Sequence, residues 1–163
     1  MVYLSLGSNL GDREQMLRQA VATLNDLSQV RVLRSSSIYE TEPWDLTPQP
    51  KFLNIMVEIE TALEPLELLN TVKTVEQQLG RRAVRRWGPR CIDIDLVLWG
   101  AKVMRTSALT LPHERFRERA FVLTPFAELA PEAVDPETGL TVAELAGRLD
   151  TTGLVRFADP ICS

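Results

Sequence analysis

Two aspartates separated by a single residue, Asp93 and Asp95, are the clearest chemical feature of the sequence. In an extended strand, side chains two residues apart point to the same face, and their Cα atoms lie about 6.6 Å apart. Two carboxylates on one patch suit a hard cation such as Mg²⁺, which proteins hold with one or two carboxylates together with substrate phosphates. The alternative interpretation is the solvated face of a half-exposed strand.

A cluster of arginines immediately precedes these acids. Five of them fall within ten residues, at Arg81, Arg82, Arg85, Arg86 and Arg90. The planar guanidinium group suits bidentate recognition of phosphate oxygens. A polyphosphate bridged by a metal ion would satisfy both the arginines and the aspartates, whereas a solvated ion-pair network is the alternative.

Other residues that could bind a ligand or take part in a reaction are scattered along the chain. Glu76 falls in the last turn of a predicted helix, where its charge opposes the helix dipole. The only histidine, His113, is either structural or a donor to a phosphate. Two rings and an amide, Phe52, Phe121 and Asn54, would sandwich and read a flat heterocycle, although both phenylalanines also fit a core. No GxxxxGK[ST] or GxGxxG motif is present, so a nucleotide would be held differently.

Length and composition predict one globular domain over residues 1–163, with 45% hydrophobic and 25% charged residues. A net charge of −4 argues against a broad basic surface for nucleic acid.

No apolar run approaches the roughly 20 residues of a membrane span, and the start of the chain lacks secretory-signal features, so we expect a cytoplasmic protein. Cys91 and Cys162 lack metal-ligand spacing and are expected to be free thiols.

Hydrophobic periodicity predicts the elements that carry these residues. Predicted in order are a strand at Val2–Leu6, turn residues from Gly7 to Gly11, a helix near 12–27, strands at Val30–Tyr39 and Phe52–Glu60 flanking a proline-rich loop at Thr41–Lys51, a helix at 65–79 and a strand at Ile92–Trp99. The order βαββαβ is typical of the α+β class with a ferredoxin-like antiparallel sheet and two helices on one face.

The last of these strands and the tail complete the prediction. Alternation places Ile92, Ile94, Leu96 and Leu98 on one strand face, and Asp93, Asp95, Val97 and Trp99 on the other.

The remainder, from Gly100 to Ser163, is predicted to be a C-terminal α/β extension. It contains an extended piece at Leu109–Leu111, a helical turn near His113–Glu118, an apolar segment at Ala120–Phe126 and a last helix near Val142–Leu149.

The run Arg-Trp-Gly-Pro-Arg-Cys-Ile-Asp-Ile-Asp at Arg86–Asp95 resembles the signature of the 6-hydroxymethyl-7,8-dihydropterin pyrophosphokinase family of folate biosynthesis. Further segments match that family in order over nearly the whole chain. They are Leu6–Asp12, Tyr39–Pro43, Gln49–Asn54, Glu76 with Gly80 and Arg81, Leu111–His113 and Arg119–Phe121.

This resemblance implies transfer of the terminal diphosphate of ATP, as one unit, to the hydroxymethyl group of a reduced pterin, releasing AMP. It implies two Mg²⁺ ions held by Asp93 and Asp95, and ATP as co-substrate. The positions that match catalytic residues are Arg81, Arg90, Asp93 and Asp95. Those that match the pterin pocket are Thr41, Pro43, Trp44, Phe52, Asn54, Arg119 and Phe121, and those on the ATP side are Glu76, Arg86, Trp87, Arg90, Thr110 and His113. The expected partners are small molecules, and the expected state is a monomer.

Some positions depart from the family pattern. Ala83 stands where many members carry a second loop arginine, and Arg82 or Arg85 is a candidate replacement. Lys73, Ala108 and Glu114 also differ from residues found in some relatives. Two segments, about 42–51 and 80–91, resemble family loops that close over bound substrates and exclude water.

Three other functions compete with this one. An RNA-binding module would use the aromatic and arginine residues, but the negative net charge and the paired aspartates disfavour it. An ordinary kinase would move only the γ-phosphate and yield ADP. A structural or regulatory relative would lack metal-dependent ATP binding.

Overall fold

The computed structural model describes residues 1–42, 50–80 and 92–162. Within these ranges the chain forms β1 (Val2–Ser8), α1 (Arg13–Asp26), β2 (Val30–Ser35), β3 (Ile38–Thr41), β4 (Phe52–Thr61), α2 (Pro65–Gly80), β5 (Asp93–Trp99), β6 (Met104–Arg105), β7 (Thr110–Leu111), a 3₁₀ turn (Phe116–Glu118), α3 (Ala120–Leu129), α4 (Val142–Ala146) and β8 (Leu154–Ala158). This is a mixed α/β architecture, and its helices near 12–27 and 65–79 confirm the sequence prediction.

An antiparallel sheet organises these elements. Its strand order is β5-β1-β4-β3-β8, with β2 also paired to β4, and every pairing is antiparallel. The central strand β4 pairs with three others, and its consecutive residues 53–59 are all buried, so both of its faces are covered. Strand β5 therefore lies at one edge of the sheet, and β8 lies at the other.

Helices α1 and α2 pack together on one face of the sheet, as predicted. The buried residues of α1 and α2 share one cluster with the apolar residues of β1, β4 and β5; they include Leu17, Leu24, Leu68, Val72, Leu4, Leu6, Ile55 and Ile94. Asp12 caps the start of α1, because its side chain accepts a hydrogen bond from the Gln15 backbone N–H at 3.1 Å. Burial of each large apolar side chain stabilises this layer by about 1.5–3 kcal/mol.

The opposite face of the sheet is covered in part by the C-terminal extension. Helices α3 and α4 bury Leu123, Phe126 and Leu145 against Tyr3 and Met56 of the sheet. The predicted apolar segment Ala120–Phe126 is thus part of a helix, despite Pro125 in its interior, which lacks the backbone donor that a helix uses. Because these helices cover only part of the face, the strand residues beyond them can line a cavity.

The prediction of one strand over Val30–Tyr39 is wrong, because the extended structure is interrupted at Ser36 and Ser37. Ser36 Oγ donates to the Ser37 carbonyl at 2.8 Å, and the Ser37 N–H donates to the Glu128 carboxylate. Side chains thereby satisfy the backbone groups that a continuous ladder would use. The two resulting strands, β2 and β3, pair separately with β4.

The predicted faces of the last core strand are also partly wrong. Register between β1 and β5 shifts so that Tyr3 pairs with Leu98 whereas Leu4 pairs with Leu96, which leaves Val97 as an extra residue. Beyond this bulge the alternation reverses, so Leu98 packs with α3 and Trp99 packs against the cluster of α1 and α2. The strand begins at Asp93, and both aspartates precede the bulge.

Two element boundaries also differ from prediction, and one strand is additional. Gly7 and Ser8 continue β1 instead of starting a turn. The last helix ends at Ala146, short of Leu149, and begins with a capping box between Thr141 and Glu144. The helical turn predicted near His113–Glu118 is confirmed as a 3₁₀ turn over Phe116–Glu118, whereas β8 was not predicted.

No helix in the described ranges is long and apolar enough to cross a membrane.

Candidate active site

Three neighbouring strands assemble the floor of the candidate site. Gly7 of β1 pairs with Asn54 of β4 on one side and with Asp93 of β5 on the other. Two residues earlier along β1, Ser5 pairs with Asp95. Paired residues on adjacent strands point to the same face, so the amide and both carboxylates lie over the face that α3 leaves uncovered.

A first cavity of about 180 Å³ lies on this floor. It is lined by Ser5, Gly7, Thr41, Glu42, Phe52, Asn54, Asp93, Asp95, Arg119 and Phe121. Asn54 is only 3% exposed, and its Nδ2 donates a hydrogen bond to Thr41 Oγ1 at 2.9 Å. Strand β3 therefore fixes the orientation of the amide inside the cavity.

The start of α3 supplies the other wall of this cavity. Arg119 precedes the helix, and its guanidinium carbon lies 5.6 Å from the centre of the Phe121 ring. Phe52 approaches from the start of β4, where it pairs with Thr41. Two aromatic side chains from separate elements thus line one small cavity together with a buried amide.

A second cavity of about 480 Å³ lies beside the edge strand β5. It is lined by Leu69, Lys73, Glu76, Asp93, Ile94, Asp95, Leu96, Ala108, Leu109, Thr110, His113, Glu114, Arg115 and Arg119. Of the described lining residues, eight of fourteen are ionisable here, against four of ten in the first cavity. The second cavity is therefore the better suited to a large, charged ligand.

Among the described residues, three line both cavities: Asp93, Asp95 and Arg119. Asp93 is half-buried, and Asp95 is exposed. Arg119 Nε is buried and has no hydrogen-bond partner within the described residues. A ligand in one cavity would therefore meet a ligand in the other beside two carboxylates and one guanidinium group.

Glu76 reaches this junction from α2. Its Oε2 accepts a hydrogen bond of 2.7 Å from the Ile94 backbone N–H, the residue between the two aspartates. Burial raises the pKa of Glu76 to about 7, with a further contribution from the charges of Asp93 and Asp95, although the bond from Ile94 acts in the opposite direction. This glutamate thus satisfies a backbone donor on the outer edge of the sheet.

His113 enters the second cavity with a defined orientation. Its backbone N–H donates to the Val97 carbonyl at 2.8 Å, and its Nδ1 accepts from the Arg115 backbone N–H at 3.1 Å. Burial lowers the pKa of His113, Asp95 opposes this shift, and Arg119 reinforces it. Because Nδ1 is an acceptor, the neutral ring carries its proton on Nε2, which is left to donate to a ligand.

The structure therefore brings the described members of each predicted set together. Thr41, Phe52, Asn54, Arg119 and Phe121 meet in the first cavity, and Glu76, Thr110 and His113 meet in the second. The predicted residues Pro43, Trp44, Arg81, Arg86, Trp87 and Arg90 lie outside the described residues, as do Arg82, Ala83 and Arg85. The same holds for most of the two predicted closing loops.

Sequence reasoning missed Ser5 and Gly7 as cavity residues. The sequence pattern predicts a turn residue at Gly7 and an apolar strand that includes Ser5. Both alternate with the buried Leu4 and Leu6, so they face away from α1 and α2. Period-two alternation could have found them, but only the strand register shows that they adjoin Asn54 and the aspartates.

Comparison with known proteins identifies the family of this chain. The family model described as 7,8-dihydro-6-hydroxymethylpterin-pyrophosphokinase (HPPK) matches residues 3–131. The 2-amino-4-hydroxy-6-hydroxymethyldihydropteridine pyrophosphokinase of Bacillus subtilis is 47% identical over 142 residues, covering 85% of each chain. The protein of the same name from Methylorubrum extorquens is 46% identical over 154 residues, covering 94% of this chain and 96% of that one. The chain belongs to the HPPK family and is an enzyme of the pyrophosphokinase class.

A solved structure shares the fold. The crystal structure of Plasmodium falciparum HPPK-DHPS with pteroate aligns with a TM-score of 0.71 at 15% sequence identity. The alignment covers 90% of this chain but only 42% of that one, so this chain spans less than half the length of its structural relative.

Proposed function

We propose that the protein catalyses Mg²⁺-dependent transfer of diphosphate from ATP to the hydroxymethyl group of 6-hydroxymethyl-7,8-dihydropterin, in folate biosynthesis. The observation that carries this proposal is the sharing of Asp93, Asp95 and Arg119 by two cavities of different character. One cavity suits a flat heterocycle and the other a charged nucleotide, and the shared residues lie where the two would react.

The first cavity would recognise the pterin. Phe52 and Phe121 would stack against the ring, which is favourable for flat heterocycles. Asn54, whose Nδ2 is held by Thr41, would hydrogen-bond the edge of the ring. Gly7 pairs with both Asn54 and Asp93, so a pterin read by Asn54 would direct its substituent toward the aspartates.

The second cavity would hold ATP. Nε2–H of His113 and the hydroxyl of Thr110 are donors for phosphate or ribose oxygens, and Glu76 is placed to accept from the nucleoside. Arg119 would neutralise phosphate charge at the junction, and within the described residues its Nε is available for this bond. We assign Arg81, Arg86, Trp87 and Arg90 to the nucleotide and the reacting phosphates, and Pro43 and Trp44 to the pterin side.

The carboxylate pair fits magnesium. Within the described residues no group of three or more acidic, histidine or cysteine side chains could hold a metal alone. Mg²⁺ commonly uses one or two carboxylates and completes its shell with water and substrate phosphates, so Asp93 and Asp95 at the nucleotide cavity are sufficient. When bound, the ions would neutralise phosphate charge and make the β-phosphorus more electrophilic.

The reaction balances as a single displacement. The hydroxymethyl oxygen forms a bond to the β-phosphorus, and the bond from that phosphorus to the α,β-bridging oxygen breaks. AMP leaves with the bridging oxygen, and the hydroxyl proton passes to solvent. The contribution of the protein residues is alignment of the two substrates, which converts a bimolecular reaction into an intramolecular one.

We also propose that residues 1–163 act as one cytoplasmic, monomeric domain with two Mg²⁺ ions per active site. A ferredoxin-like core is part of this proposal. The strand order β5-β1-β4 with β2 and β3 beyond β4, and the packing of α1 and α2 on one face, support that topology.

The test is to incubate the purified protein with ATP, Mg²⁺ and 6-hydroxymethyl-7,8-dihydropterin and to separate the nucleotide products. AMP that forms only when both pterin and metal are present, and not with EDTA, is the expected result. ADP would instead indicate transfer of the γ-phosphate alone. Absence of any pterin-dependent product would contradict the proposed substrate.

A further inference from the structure

Gly7 lies in the middle of the site although it carries no side chain. It belongs to β1 and pairs with Asn54 on one side and with Asp93 on the other. Glycine weakens a strand interior, because it loses the most backbone entropy on folding and has no side chain to pack. A glycine at this position therefore requires a physical reason.

The space around Gly7 supplies that reason. A Cβ atom built on Gly7 would lie 2.8 Å from Oδ1 of Asn54, closer than real Cβ atoms approach other heavy atoms. Its next contacts, the Leu53 carbonyl oxygen and Phe52 Cδ1, would both lie at 3.8 Å, an ordinary van der Waals distance. Among the atoms that the structure describes, the conflict is thus with the Asn54 carboxamide alone.

Asn54 is held in the conformation that creates this conflict. Its Nδ2 donates to Thr41 Oγ1 at 2.9 Å, and the residue is 3% exposed. Rotation of the carboxamide away from a new Cβ atom would break that bond inside a buried site, where an unsatisfied donor is costly. It would also turn the hydrogen-bonding edge of the amide away from the cavity between Phe52 and Phe121.

We propose that Gly7 is a positioning residue for pterin recognition: its missing Cβ leaves the space in which the Asn54 carboxamide lies, and so sets the direction in which that amide meets the ring. This inference rests on the proposed function, because it takes Asn54 as the group that reads the pterin. Gly7 acts through Asn54 and takes no part in the reaction itself.

The first test is the variant Gly7→Ala. We expect the KM for 6-hydroxymethyl-7,8-dihydropterin to rise at least tenfold, while kcat at saturating pterin and the KM for ATP change less than twofold. A general structural defect would lower kcat and affect both substrates. If Gly7→Ala has the same KM for the pterin as the wild-type protein, the inference is overturned.

A double-mutant cycle tests the route of the effect and remains informative if Gly7→Ala folds poorly. Asn54→Ala removes Oδ1, so that a Cβ atom at Gly7 would meet no described atom closer than 3.8 Å. Adding Gly7→Ala to Asn54→Ala should therefore leave the pterin KM of the single Asn54→Ala variant unchanged and should not lower its Tm, because alanine costs less backbone entropy than glycine. A further rise in pterin KM that equals the effect of Gly7→Ala in the wild type would overturn the inference.

Gly147→Ala is the matched control for loss of a glycine. Gly147 has a φ of −64°, and a Cβ atom there would approach nothing closer than the Ala143 carbonyl oxygen at 3.4 Å. Its kinetic constants should equal those of the wild type. If the wild-type protein forms no pterin-dependent AMP, the proposed function and this inference are both overturned. If the wild-type protein is active and Gly7→Ala has the same pterin KM, only the inference is overturned.

Discussion

The two cavities of the site are built in different ways. The first lies on the sheet face, and two of its polar side chains, Thr41 at 6% and Asn54 at 3% exposure, are buried and hydrogen-bonded to each other. The second lies at the edge strand β5, where α2 and residues 108–115 contribute mostly ionisable side chains. The first is therefore suited to recognition by shape and hydrogen bonding, and the second to recognition by charge.

This difference means that the two cavities would recognise their substrates by different interactions. A buried amide with a fixed orientation discriminates against ligands that lack a complementary hydrogen-bonding group, because binding such a ligand would leave the amide buried without a hydrogen bond. A charged cavity attracts any polyphosphate and depends on metal and salt for its strength. Variants in the two cavities should accordingly change the affinity for one substrate without changing that for the other.

The largest effect is expected at the junction that both cavities share. Asp95→Ala should lower kcat/KM by about a thousandfold or more, because it removes one of two carboxylates available to the metal. Folding should be unaffected, since Asp95 is exposed and its removal lowers the density of negative charge beside Asp93. Steady-state kinetics and thermal unfolding measure both effects, and Asp26→Ala on α1 is the matched control. Substantial activity in Asp95→Ala would contradict the assigned site.

A large and selective effect is expected in the first cavity. Phe121→Ala should weaken pterin binding by about thirtyfold, about 2 kcal/mol, because one stacking surface is lost. ATP binding should change little, since Phe121 lines only the first cavity. Equilibrium binding of each substrate separates these outcomes, with Phe157→Ala, an exposed ring on β8, as the control. Equal losses for the two substrates would break the proposed division between the cavities.

The converse is expected at His113. His113→Ala should raise the KM for ATP about tenfold by removing a donor to a charged ligand, and should leave pterin affinity unchanged. His113→Gln should retain part of the affinity, because its amide N–H reaches about as far as Nε2–H. Kinetics at varied ATP measure the effect. An unchanged KM for ATP would place the nucleotide elsewhere in the cavity.

The smallest effect is on stability at Glu76. The folded-state pKa of about 7 exceeds the ordinary value of 4.5, so the unfolded chain releases this proton at lower pH than the folded protein does. Ionisation of Glu76 therefore costs stability increasingly as pH rises from about 4.5 to 7, and the full cost remains above pH 7. Glu76→Gln keeps an acceptor for the Ile94 N–H and should stabilise the metal-free protein by about 1 kcal/mol at pH 8, since solvent screens part of the effect at this partly exposed group.

At pH 4.5 Glu76→Gln and the wild type should unfold at the same urea concentration. The exposed Glu132→Gln should show no comparable dependence on pH. A variant that is less stable than the wild type at pH 8 in EDTA would show that the ionised carboxylate stabilises the fold.

Local patterns in the sequence predicted the elements that depend on neighbours in the chain. Helices α1 and α2 follow from their apolar spacing, and the common face of Asp93 and Asp95 follows from strand alternation. The bulge at Val97 does not, because it depends on the register between β5 and β1. The division between β2 and β3 likewise depends on Glu128, about ninety residues away.

The candidate site shows the same limit. Asn54, Phe52 and the aspartates are recognisable from their types, but the role of Gly7 depends on the position of a side chain on another strand. Strand β8 escaped prediction because most of its residues are exposed, and its pairing with β3 joins distant parts of the chain.

The most direct test of two cavities meeting at a shared acidic junction is a crystal structure with Mg²⁺, 6-hydroxymethyl-7,8-dihydropterin and α,β-methylene-ATP. This analogue cannot be cleaved, because the proposed reaction breaks the α,β bridge. We expect the pterin between Phe52 and Phe121, the nucleotide beside Glu76 and His113, and metal between Asp93, Asp95 and the phosphates. A triphosphate bound away from Asp93 and Asp95 would contradict the account.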